Sequence, residues 1–245
     1  MKNRWQAPVV TLGLVGALLA PSAALAEGPH PASHAPKRKF GRGTSTNWSG
    51  YAVPSSGATR VIGTWTAPRV TCAAGENSWS SPWVGIDGDK STTVEQIGTD
   101  SDCQNGRPVY YAWYELYPKP LVGLGLAVHP GDSFTGEVTS ASSGAFVLKL
   151  TNNTTKAAFQ TTQSLKRARR SSVEWIVEGP SNGLLSNFGS VPFSAASATI
   201  NGSTGNLGSF SNADRITMVT SQGVPRAVPS TISGGTSFSV TWRHG

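Results

Sequence analysis

The sequence predicts an all-β domain, folded as a sandwich or a barrel. Of its 245 residues, 28 are Gly and 16 are Pro, a composition that disfavours a helical bundle. Only 13% of the residues are charged, about half the usual share for a soluble protein. From about Thr44 to the end, short strand-like runs alternate with Gly, Pro, Asn and Ser turns. Hydrophobic residues make up 38% of the chain, which is enough to build a core.

The clearest predicted strands cover residues 61–66, 146–151, 158–162 and 237–242. Asn152 follows the second of these strands and favours a turn, so the second and third strands predict a β-hairpin. We find no internal repeat, and no segment predicts a helix of three turns.

The N-terminus has the features of a secretory signal peptide over residues 1–26. Lys2 and Arg4 supply the positive charge, residues 9–19 are largely apolar, and residues 24–26 (Ala-Leu-Ala) form a small-x-small cleavage site. The apolar run is too short for a membrane anchor. We therefore expect a secreted, extracellular protein with no membrane association after signal cleavage.

The basic charge of the chain is concentrated near its start. The formal net charge is +7, but residues 1–43 hold six of the 20 Lys and Arg residues and one of the 13 Asp and Glu residues. The remaining 14 basic and 12 acidic residues give residues 44–245 a net charge of only +2. This balance removes the main support for a nucleic-acid partner. Residues 27–43 lack periodicity and predict a basic pro-segment or linker, followed by one domain over residues 44–245.

Export would place the two cysteines, Cys72 and Cys103, in an oxidising compartment. We expect them to form a disulfide that closes a loop of about thirty residues. In the chain-entropy model such a bridge contributes about 3–4 kcal/mol to stability. The alternative, a pair of free thiols, is less common in secreted proteins.

Four strand-like segments place polar and aromatic side chains on one of their faces. Side chains alternate between the faces of a strand, so residues two apart lie on the same side. If each strand turns its more apolar set toward a second sheet, the opposite faces together form a groove with aromatic walls and several carboxylates. This groove would contain Trp83, Asp87, Gln96, Trp113, Glu115, Glu174 and Glu178.

Each of these residues also has a simpler interpretation. A lone Glu on a strand is usually solvated, and Asp87 in Ile-Asp-Gly-Asp can be only a turn former. Tryptophans on a sheet face are more often core residues than walls of a binding site. Two other functions also fit such a face: a glycoside hydrolase that uses two carboxylates, and a lectin-like carbohydrate-binding module without catalysis.

Five short motifs follow one another over roughly residues 45–245. They are Asn47-Trp48-Ser49-Gly50, Trp83-Val84-Gly85-Ile86-Asp87-Gly88, Gln96 within Glu-Gln-Ile-Gly, Tyr111-Ala112-Trp113-Tyr114-Glu115 and Glu174-Trp175-Ile176-Val177-Glu178. In order and spacing they resemble the glutamic peptidase (eqolisin) family of secreted acid proteases. The resemblance implies an antiparallel sandwich of two large sheets, similar to the concanavalin-type lectins. One departure is Glu-Gln-Ile-Gly, where the family usually has Leu-Gln-Thr-Gly.

The resemblance also implies a catalytic pair, Gln96 and Glu174. Trp83, Asp87, Asp100, Trp113 and Glu115 fall on or near family positions that line the groove, and Glu178 joins them by strand alternation. The substrates would be proteins or peptides, and neither a cofactor nor a metal would be needed. We expect a monomer, an acid pH optimum and no inhibition by pepstatin.

The residue inventory favours this chemistry over other hydrolytic mechanisms. His30 and His34 lie in the predicted pro-segment, which leaves only His129 and His244 to build a serine triad or a zinc site. A glutamate can take a proton from water and later deliver it to the leaving amine. A glutamine amide can donate a hydrogen bond to the developing oxyanion.

The charge of residues 27–43 predicts a zymogen. Lys37, Arg38, Lys39 and Arg42 precede a domain whose groove collects carboxylates, so the segment should lie across the groove at neutral pH. In acid the carboxylates take up protons, and the attraction weakens. The alternative is a flexible basic linker that never contacts the groove.

Overall fold

The computed structural model describes residues 34–142, 144–180 and 183–245. The predicted signal peptide and residues 27–33 lie outside the described residues. Within those ranges the chain is almost wholly β, and the only helical element is the 3-10 turn Leu207–Ser209. No helix in this part of the chain is both long and apolar enough to cross a membrane.

One sheet, which we call the groove sheet, is antiparallel throughout its main strands. In spatial order these are β17 (Asp214–Val219), β3 (Trp48–Pro54), β13 (Ser172–Glu178), β6 (Ser81–Ile86), β7 (Val94–Gln104), β8 (Arg107–Tyr117) and β9 (Val122–Leu124). Two short strands, β5 (Ser78–Trp79) and β14 (Leu184–Leu185), extend it beside the end of β7.

The second sheet, the back sheet, is also antiparallel. In spatial order it contains β12 (Ala158–Ser164), β11 (Ala145–Asn152), β10 (Ser133–Ser142), β4 (Ala58–Thr66), β15 (Ser190–Ile200), β19 (Phe238–Trp242) and β18 (Pro225–Pro229). The last four residues of β15, Ser197–Ile200, pair with β16 (Ser203–Asn206). Strand β17 pairs with both β18 and β3 and so joins the two sheets. The hairpin of β1 (Lys39–Gly41) and β2 (Thr44–Ser45) lies beside β17.

The burial of each strand follows from its place in the sandwich. All seven residues of β13 are buried, because this strand is central in the groove sheet and both of its faces are covered. By contrast, β12 lies at an edge and alternates between exposed and half-buried residues, as its Thr- and Gln-rich sequence predicts.

The main core lies between the two sheets. Trp175 of β13 is fully buried there, and its indole N–H donates to the carbonyl of Ile62 at 2.7 Å. Glycine provides the space, because a Cβ at Gly63 would lie 2.6 Å from the Trp175 ring. In the same way, a Cβ at Gly136 would lie 2.8 Å from the ring of Trp65. Truncating a tryptophan packed this closely typically costs about 3–5 kcal/mol.

The structure confirms the all-β sandwich and the strands predicted from the sequence. The hairpin predicted around Asn152 is formed by β11 and β12, joined by residues 153–157. Cys72 and Cys103 form the expected disulfide, with a Cα–Cα distance of 5.6 Å. This bridge ties residue 72 to the end of β7, the strand that carries Gln96.

Candidate active site

Three cross-strand rows of side chains form the outer face of the groove sheet. In the first row Glu174 of β13 pairs with Gly85 of β6, which pairs with Gln96 of β7, which pairs with Glu115 of β8. Directly paired residues project to the same side of a sheet. Gly85 has no side chain, and a Cβ there would lie 3.0 Å from the Trp83 ring, so this ring packs close to the backbone between Glu174 and Gln96. The Cα atoms of Glu174 and Gln96 are two strand spacings or about 10 Å apart.

The second row forms an aromatic floor. It joins Ile176, Trp83, Gly98 and Trp113 across the same four strands. Gly98 is required here, because a Cβ would lie 2.6 Å from that of Trp83 and 2.9 Å from the Trp113 ring. Trp83, Trp113 and Ile176 belong to a hydrophobic cluster separate from the main core.

The third row is polar and contains Glu178, Ser81, Asp100 and Tyr111. The Asp100 carboxylate accepts hydrogen bonds from the Ser81 hydroxyl, the Trp113 indole N–H and the Tyr111 hydroxyl, the last at 2.7 Å. Three donors fix the orientation of the carboxylate.

Glu174 is fully buried, and neither of its carboxylate oxygens has a hydrogen-bond partner among the described residues. Burial raises its pKa well above the usual range. The nearby Ser172 side chain opposes this shift, and the carboxylates of Asp87, Asp89 and Glu95 add to it. A carboxyl group with these properties holds its proton more tightly than a solvated glutamate. It can therefore exchange a proton with a reacting group above its usual pH range.

Gln96 is also fully buried, and Glu115 determines which end of its amide faces the groove. Its Nε2 donates to Glu115 Oε2 at 2.9 Å, while its Oε1 has no partner among the described residues. Burial raises the pKa of Glu115 to about 8, although the hydrogen bond from Gln96 opposes this shift.

Glu178 lies at the other end of β13 and accepts three hydrogen bonds. They come from the Trp83 indole N–H at 3.1 Å, the Asn47 side-chain amide at 3.0 Å and the backbone N–H of Ala35 at 3.0 Å. Burial raises the pKa of Glu178 to about 7, against the opposing charge of His34.

Asp87 departs from the sequence-based expectation. Alternation along β6 placed it in the groove, but the strand ends at Ile86 and Asp87 has a φ of 72° that turns the chain. Its carboxylate accepts backbone hydrogen bonds from Arg169, Arg170 and Ser171, each at 2.8 Å, and one from the Ser171 hydroxyl. Asp87 therefore anchors the loop before β13 rather than presenting a free carboxylate to the groove.

Residues 34–37 cross the groove face through backbone contacts. The His34 carbonyl accepts from Gln96 Nε2 at 2.9 Å, and the Ala35 carbonyl accepts from the Trp48 indole N–H at 3.0 Å. At the far end the backbone N–H of Lys37 donates to the Gly88 carbonyl at 3.0 Å. The segment thus spans the sheet from β7 toward β17.

Two side chains of this segment meet carboxylates. The His34 ring stacks on Trp113 with a centroid distance of 4.1 Å, and its Nε2 lies 3.3 Å from Asp100 Oδ1. The Lys37 ammonium forms ion pairs with Asp89 and Asp214, the latter at 3.2 Å. Within the described ranges, Lys37 is the only one of the four predicted pro-segment cations with an acidic partner, since no ion pair involves Arg38, Lys39 or Arg42.

Comparison with known proteins assigns the chain to a family. Residues 46–242 match the Peptidase A4 family. The chain belongs to the Peptidase A4 family. The matched region begins two residues after Thr44 and includes every strand of the groove sheet.

Named relatives of this Peptidase A4 member are glutamic peptidases. It is 35% identical over 189 residues to aspergillopepsin-2 of Aspergillus niger, which covers 65% of this chain and 66% of the relative. It is 31% identical to scytalidopepsin B of Scytalidium lignicola over 63% of this chain and 60% of the relative. The alignments thus span slightly under two thirds of these relatives' lengths.

Solved structures of the family share the fold. A crystal structure of scytalido-glutamic peptidase with a transition-state analogue superposes with a TM-score of 0.69 and 26% identity, covering 81% of this chain and 98% of that one. The aspergilloglutamic peptidase of Aspergillus niger gives a TM-score of 0.59 with 31% identity, covering 67% and 99%. These matches establish this family member as an eqolisin-type β-sandwich.

Sequence reasoning missed several side chains at the groove of this Peptidase A4 member. Asn47 and Trp48 were noted only as part of a motif, yet both donate hydrogen bonds to residues 34–37. Asp89 and Asp214 were not noted, because they lie in a loop and on β17, distant in sequence from the other groove residues. His34 belongs to the predicted pro-segment, and its ring is buried on Trp113.

Proposed function

We propose that this protein is a secreted acid endopeptidase in which Glu174 and Gln96 hydrolyse peptide bonds through an activated water, without a covalent intermediate. The observation that carries the proposal is the 2.9 Å hydrogen bond from Gln96 Nε2 to a peptide carbonyl, that of His34, in the row that contains Glu174. Membership in a peptidase family favours peptide bonds over glycosidic bonds as the target.

The chemistry of the first row accounts for each step of peptide hydrolysis. Ionised Glu174 takes a proton from water, and the water oxygen forms a bond to the carbonyl carbon. The resulting oxyanion accepts the Gln96 N–H bond that the ground-state carbonyl already accepts. Glu174 then delivers its proton to the amide nitrogen, the C–N bond breaks, and the amine and the carboxylic acid leave.

Three buried oxygen atoms of the catalytic pair could accept hydrogen bonds from the attacking water. Both oxygens of Glu174 and the Oε1 of Gln96 are buried acceptors that no described protein group satisfies. They lie on either side of Gly85 in the first row, and a water molecule held between the two side chains could donate to both. Glu115 acts as a positioning residue, because it accepts the other N–H bond of the Gln96 amide and so directs Nε2 toward the substrate.

An acid optimum follows from the concentration of carboxyl groups in the groove. Burial raises the pKa of Glu178 to about 7 and that of Glu115 to about 8, so both are neutral in acid. Glu174 lies between the strands that residues 34–37 contact, and departure of that segment would expose it to water. Its pKa would then fall toward the acid range, so that part of the population is ionised while its neighbours remain protonated.

Residues 27–43 would act as an inhibitory pro-segment. Residues 34–37 occupy the groove through hydrogen bonds that a substrate backbone would need, including those from Gln96 and Trp48. A chain held in this way excludes substrate until it is removed. We propose secretion through residues 1–26 and removal of the segment in acid, and the disulfide is consistent with an oxidising compartment.

The test is to secrete the protein with Glu27 as its N-terminus and incubate it with a denatured protein between pH 2 and 7. We expect peptide fragments whose yield is highest in acid and is unchanged by pepstatin, a thiol reagent, a serine reagent or a chelator. Absence of fragments at every pH would contradict the peptidase proposal. Strong inhibition by the chelator or by pepstatin would contradict the proposed mechanism.

A further inference from the structure

A basic loop joins the edge strand of the back sheet to the central strand of the groove sheet. It covers residues 166–170, Lys-Arg-Ala-Arg-Arg, between β12 and β13. All four of its cationic residues are exposed, and none forms an ion pair among the described residues. Residues 138–173 contain six basic residues and no acidic one, although residues 44–245 have a net charge of only +2. The positive charge of the domain is therefore concentrated around this loop.

Hydrogen bonds hold the backbone of the basic loop against both sheets. Asp87, directly after β6 of the groove sheet, accepts from the backbone N–H groups of Arg169 and Arg170, each at 2.8 Å. The carbonyl of Arg170 accepts from the N–H of Ala58, at the start of β4 in the back sheet, at 3.0 Å. Cationic side chains on a fixed backbone lose less conformational freedom on binding than those on a mobile loop. The loop therefore presents its charges in a preorganised arrangement.

A polar strip on β12 leads into the basic loop. It consists of Gln160, Thr162 and Ser164, which alternate with half-buried residues and so share one exposed face of the strand. Among the described residues β12 pairs only with β11, which leaves its outer edge open. The Lys119 ammonium donates to the carbonyl of Ser164 at 2.8 Å. This contact adds a fifth exposed cation where the polar strip meets the basic loop.

The polar strip lies on the outer face of the back sheet, on the opposite side of the sandwich from the groove. Phe159, on the inner side of β12, packs against the main core and stacks on Tyr114 with a centroid distance of 5.9 Å. Lys149 of β11 pairs with Gln160 across the strands, so their side chains share the outer face. A polymer bound to this face would therefore leave the groove accessible.

The carboxylates beside this surface already have partners. Asp87 is buried and contacts the backbone of the basic loop rather than its guanidinium groups. Glu137 of β10 pairs with Lys149 across the strands, but its carboxylate forms an ion pair with Arg60. By contrast, neither Lys119 nor Lys149 forms an ion pair within the described ranges. The surface thus offers several cations to an external anion.

The chemistry of the surface favours a particular class of anion. Arginine stays charged at every pH in question, and its guanidinium matches two oxygens of a sulfate or phosphate group. Polymers of carboxylates take up protons in acid, whereas sulfate esters and phosphodiesters stay ionised. The hydroxyl and amide groups of the polar strip can hydrogen-bond to sugar hydroxyls. Among the described residues, no exposed large hydrophobic side chain belongs to β12 or the basic loop, which disfavours membrane insertion and base stacking.

We propose that the basic loop and the polar strip bind a polysaccharide that carries sulfate or phosphate esters. The basic loop would contact the ester groups, and the polar strip would contact the sugar hydroxyls. Binding at this face goes beyond the proposed peptidase function and requires no catalysis. It would hold the secreted protein on an anionic polymer while the groove on the other sheet stays open.

The experiment measures binding of the secreted Glu174→Gln protein, with Glu27 as its N-terminus, to dextran sulfate and to dextran phosphate. This protein lacks the proposed proton-transfer group and so stays intact in acid. We expect saturable binding to at least one of the two polymers and none to neutral dextran. The Kd should differ by less than about threefold between pH 4 and pH 7, because the cations and the esters both stay charged. Carboxymethyl dextran should bind at least about tenfold more weakly at pH 4 than at pH 7.

A triple variant tests the basic loop, with the changes Lys166→Gln, Arg167→Gln and Arg169→Gln. We expect its Kd for the charged dextran to rise at least about tenfold, and the slope of log Kd against log salt concentration to fall by about two or more. Thermal unfolding should be unchanged, since the altered side chains are exposed. In the same background, Gln160→Ala with Thr162→Ala should weaken binding about threefold without altering the salt slope.

A matched control removes three exposed cations from the pro-segment, with the changes Arg38→Gln, Lys39→Gln and Arg42→Gln. It alters the net charge by the same amount as the triple variant, and we expect its Kd to change by less than about threefold. Equal weakening by the two sets of changes would overturn the inference, because binding would then depend on net charge alone.

The remaining outcomes also decide the inference. Failure to bind either charged dextran at about 50 mM salt would overturn it. Tighter binding to duplex DNA or to vesicles of anionic phospholipid than to both charged dextrans would overturn it as well, since the partner would then be a nucleic acid or a membrane. Because none of these measurements uses peptide cleavage, each outcome leaves the peptidase proposal to its own test.

Discussion

The amide nitrogen of Gln96 donates to Glu115 Oε2 at 2.9 Å, across adjacent strands of the groove sheet. This contact orients the amide, because the N–H group that faces Glu115 places the second N–H toward the bound peptide carbonyl of His34. The same register brings Gly85 and Glu174 into line with Gln96. The pairing of four strands thus assembles the proposed catalytic row.

Gln96→Ala should remove the oxyanion donor. We expect kcat to fall about 100–1000-fold with a smaller change in KM, since the donor acts most strongly on the charged transition state. Far-UV circular dichroism should remain unchanged because the side chain projects into the groove. A folded variant with unaltered kcat would contradict the role of Gln96.

Glu115→Ala should misorient the Gln96 amide rather than remove it. We expect kcat to fall about tenfold or more, while Glu115→Gln should restore part of the loss if its carbonyl accepts the same hydrogen bond. The measurement is kcat and KM for both variants at several pH values. Equal losses in the two variants, with the pH profile unchanged, would show that Glu115 does not act by orienting Gln96.

Strand alternation predicted much of this face from the sequence. Trp83, Gln96, Trp113, Glu115, Glu174 and Glu178 share one side of the groove sheet, as the period of two requires. The prediction failed at Asp87, because the strand ends one residue earlier and a positive φ redirects the side chain.

The contacts of residues 34–37 could not be predicted from local pattern. Lys37 meets Asp214 across 177 residues of sequence, and that proximity depends on the position of β17 beside β3. The charge pattern does not distinguish among the four cations of the segment. In the structure, Lys37 is the one that forms ion pairs with carboxylates, those of Asp89 and Asp214. The stacking of His34 on Trp113 likewise follows from the path of the backbone rather than from any motif.

Glu95 should make the protein less stable as the pH rises. Burial, with a contribution from Asp87, raises its pKa from the ordinary 4.5 to about 9, so the folded state binds this proton more tightly than the unfolded state. The contribution of protonated Glu95 to the free energy of unfolding is fully present below pH 4.5 and is lost as the pH rises toward 9. At pH 7 the loss is about 3 kcal/mol.

Glu95→Gln should therefore raise stability at pH 7 relative to the wild type, by up to about 3 kcal/mol more than at pH 4. Denaturant unfolding at both pH values measures the difference, and Glu137→Gln serves as a surface control. A stability difference between variant and wild type that is independent of pH would contradict the buried, protonated state of Glu95.

Activation of the precursor should begin as the pH falls below about 7. Glu178 has its pKa near 7 and Glu115 near 8, so protonation removes charge opposite His34, which keeps its own proton up to about pH 9. Mass spectrometry after acidification should show an early cut after His34, whose carbonyl Gln96 holds, and a final N-terminus between about Lys39 and Thr46, with activity rising in step.

Lys37→Ala should speed this activation, because the variant lacks the ion pairs with Asp89 and Asp214. Arg38→Ala is the matched control, since Arg38 is exposed and forms no ion pair among the described residues. Full activity of the precursor at neutral pH with residues 27–43 retained would show that the segment is only a linker.

The most direct test of the account is the activity of Glu174→Gln on a denatured protein in acid. This change keeps the shape of the side chain but removes its ability to exchange a proton, and such groups typically contribute about 100–10,000-fold to turnover. We predict a folded variant, by circular dichroism, with kcat reduced by at least about 100-fold and a precursor that is cut only when active enzyme is added. A folded Glu174→Gln protein with near wild-type turnover would contradict the proposed mechanism.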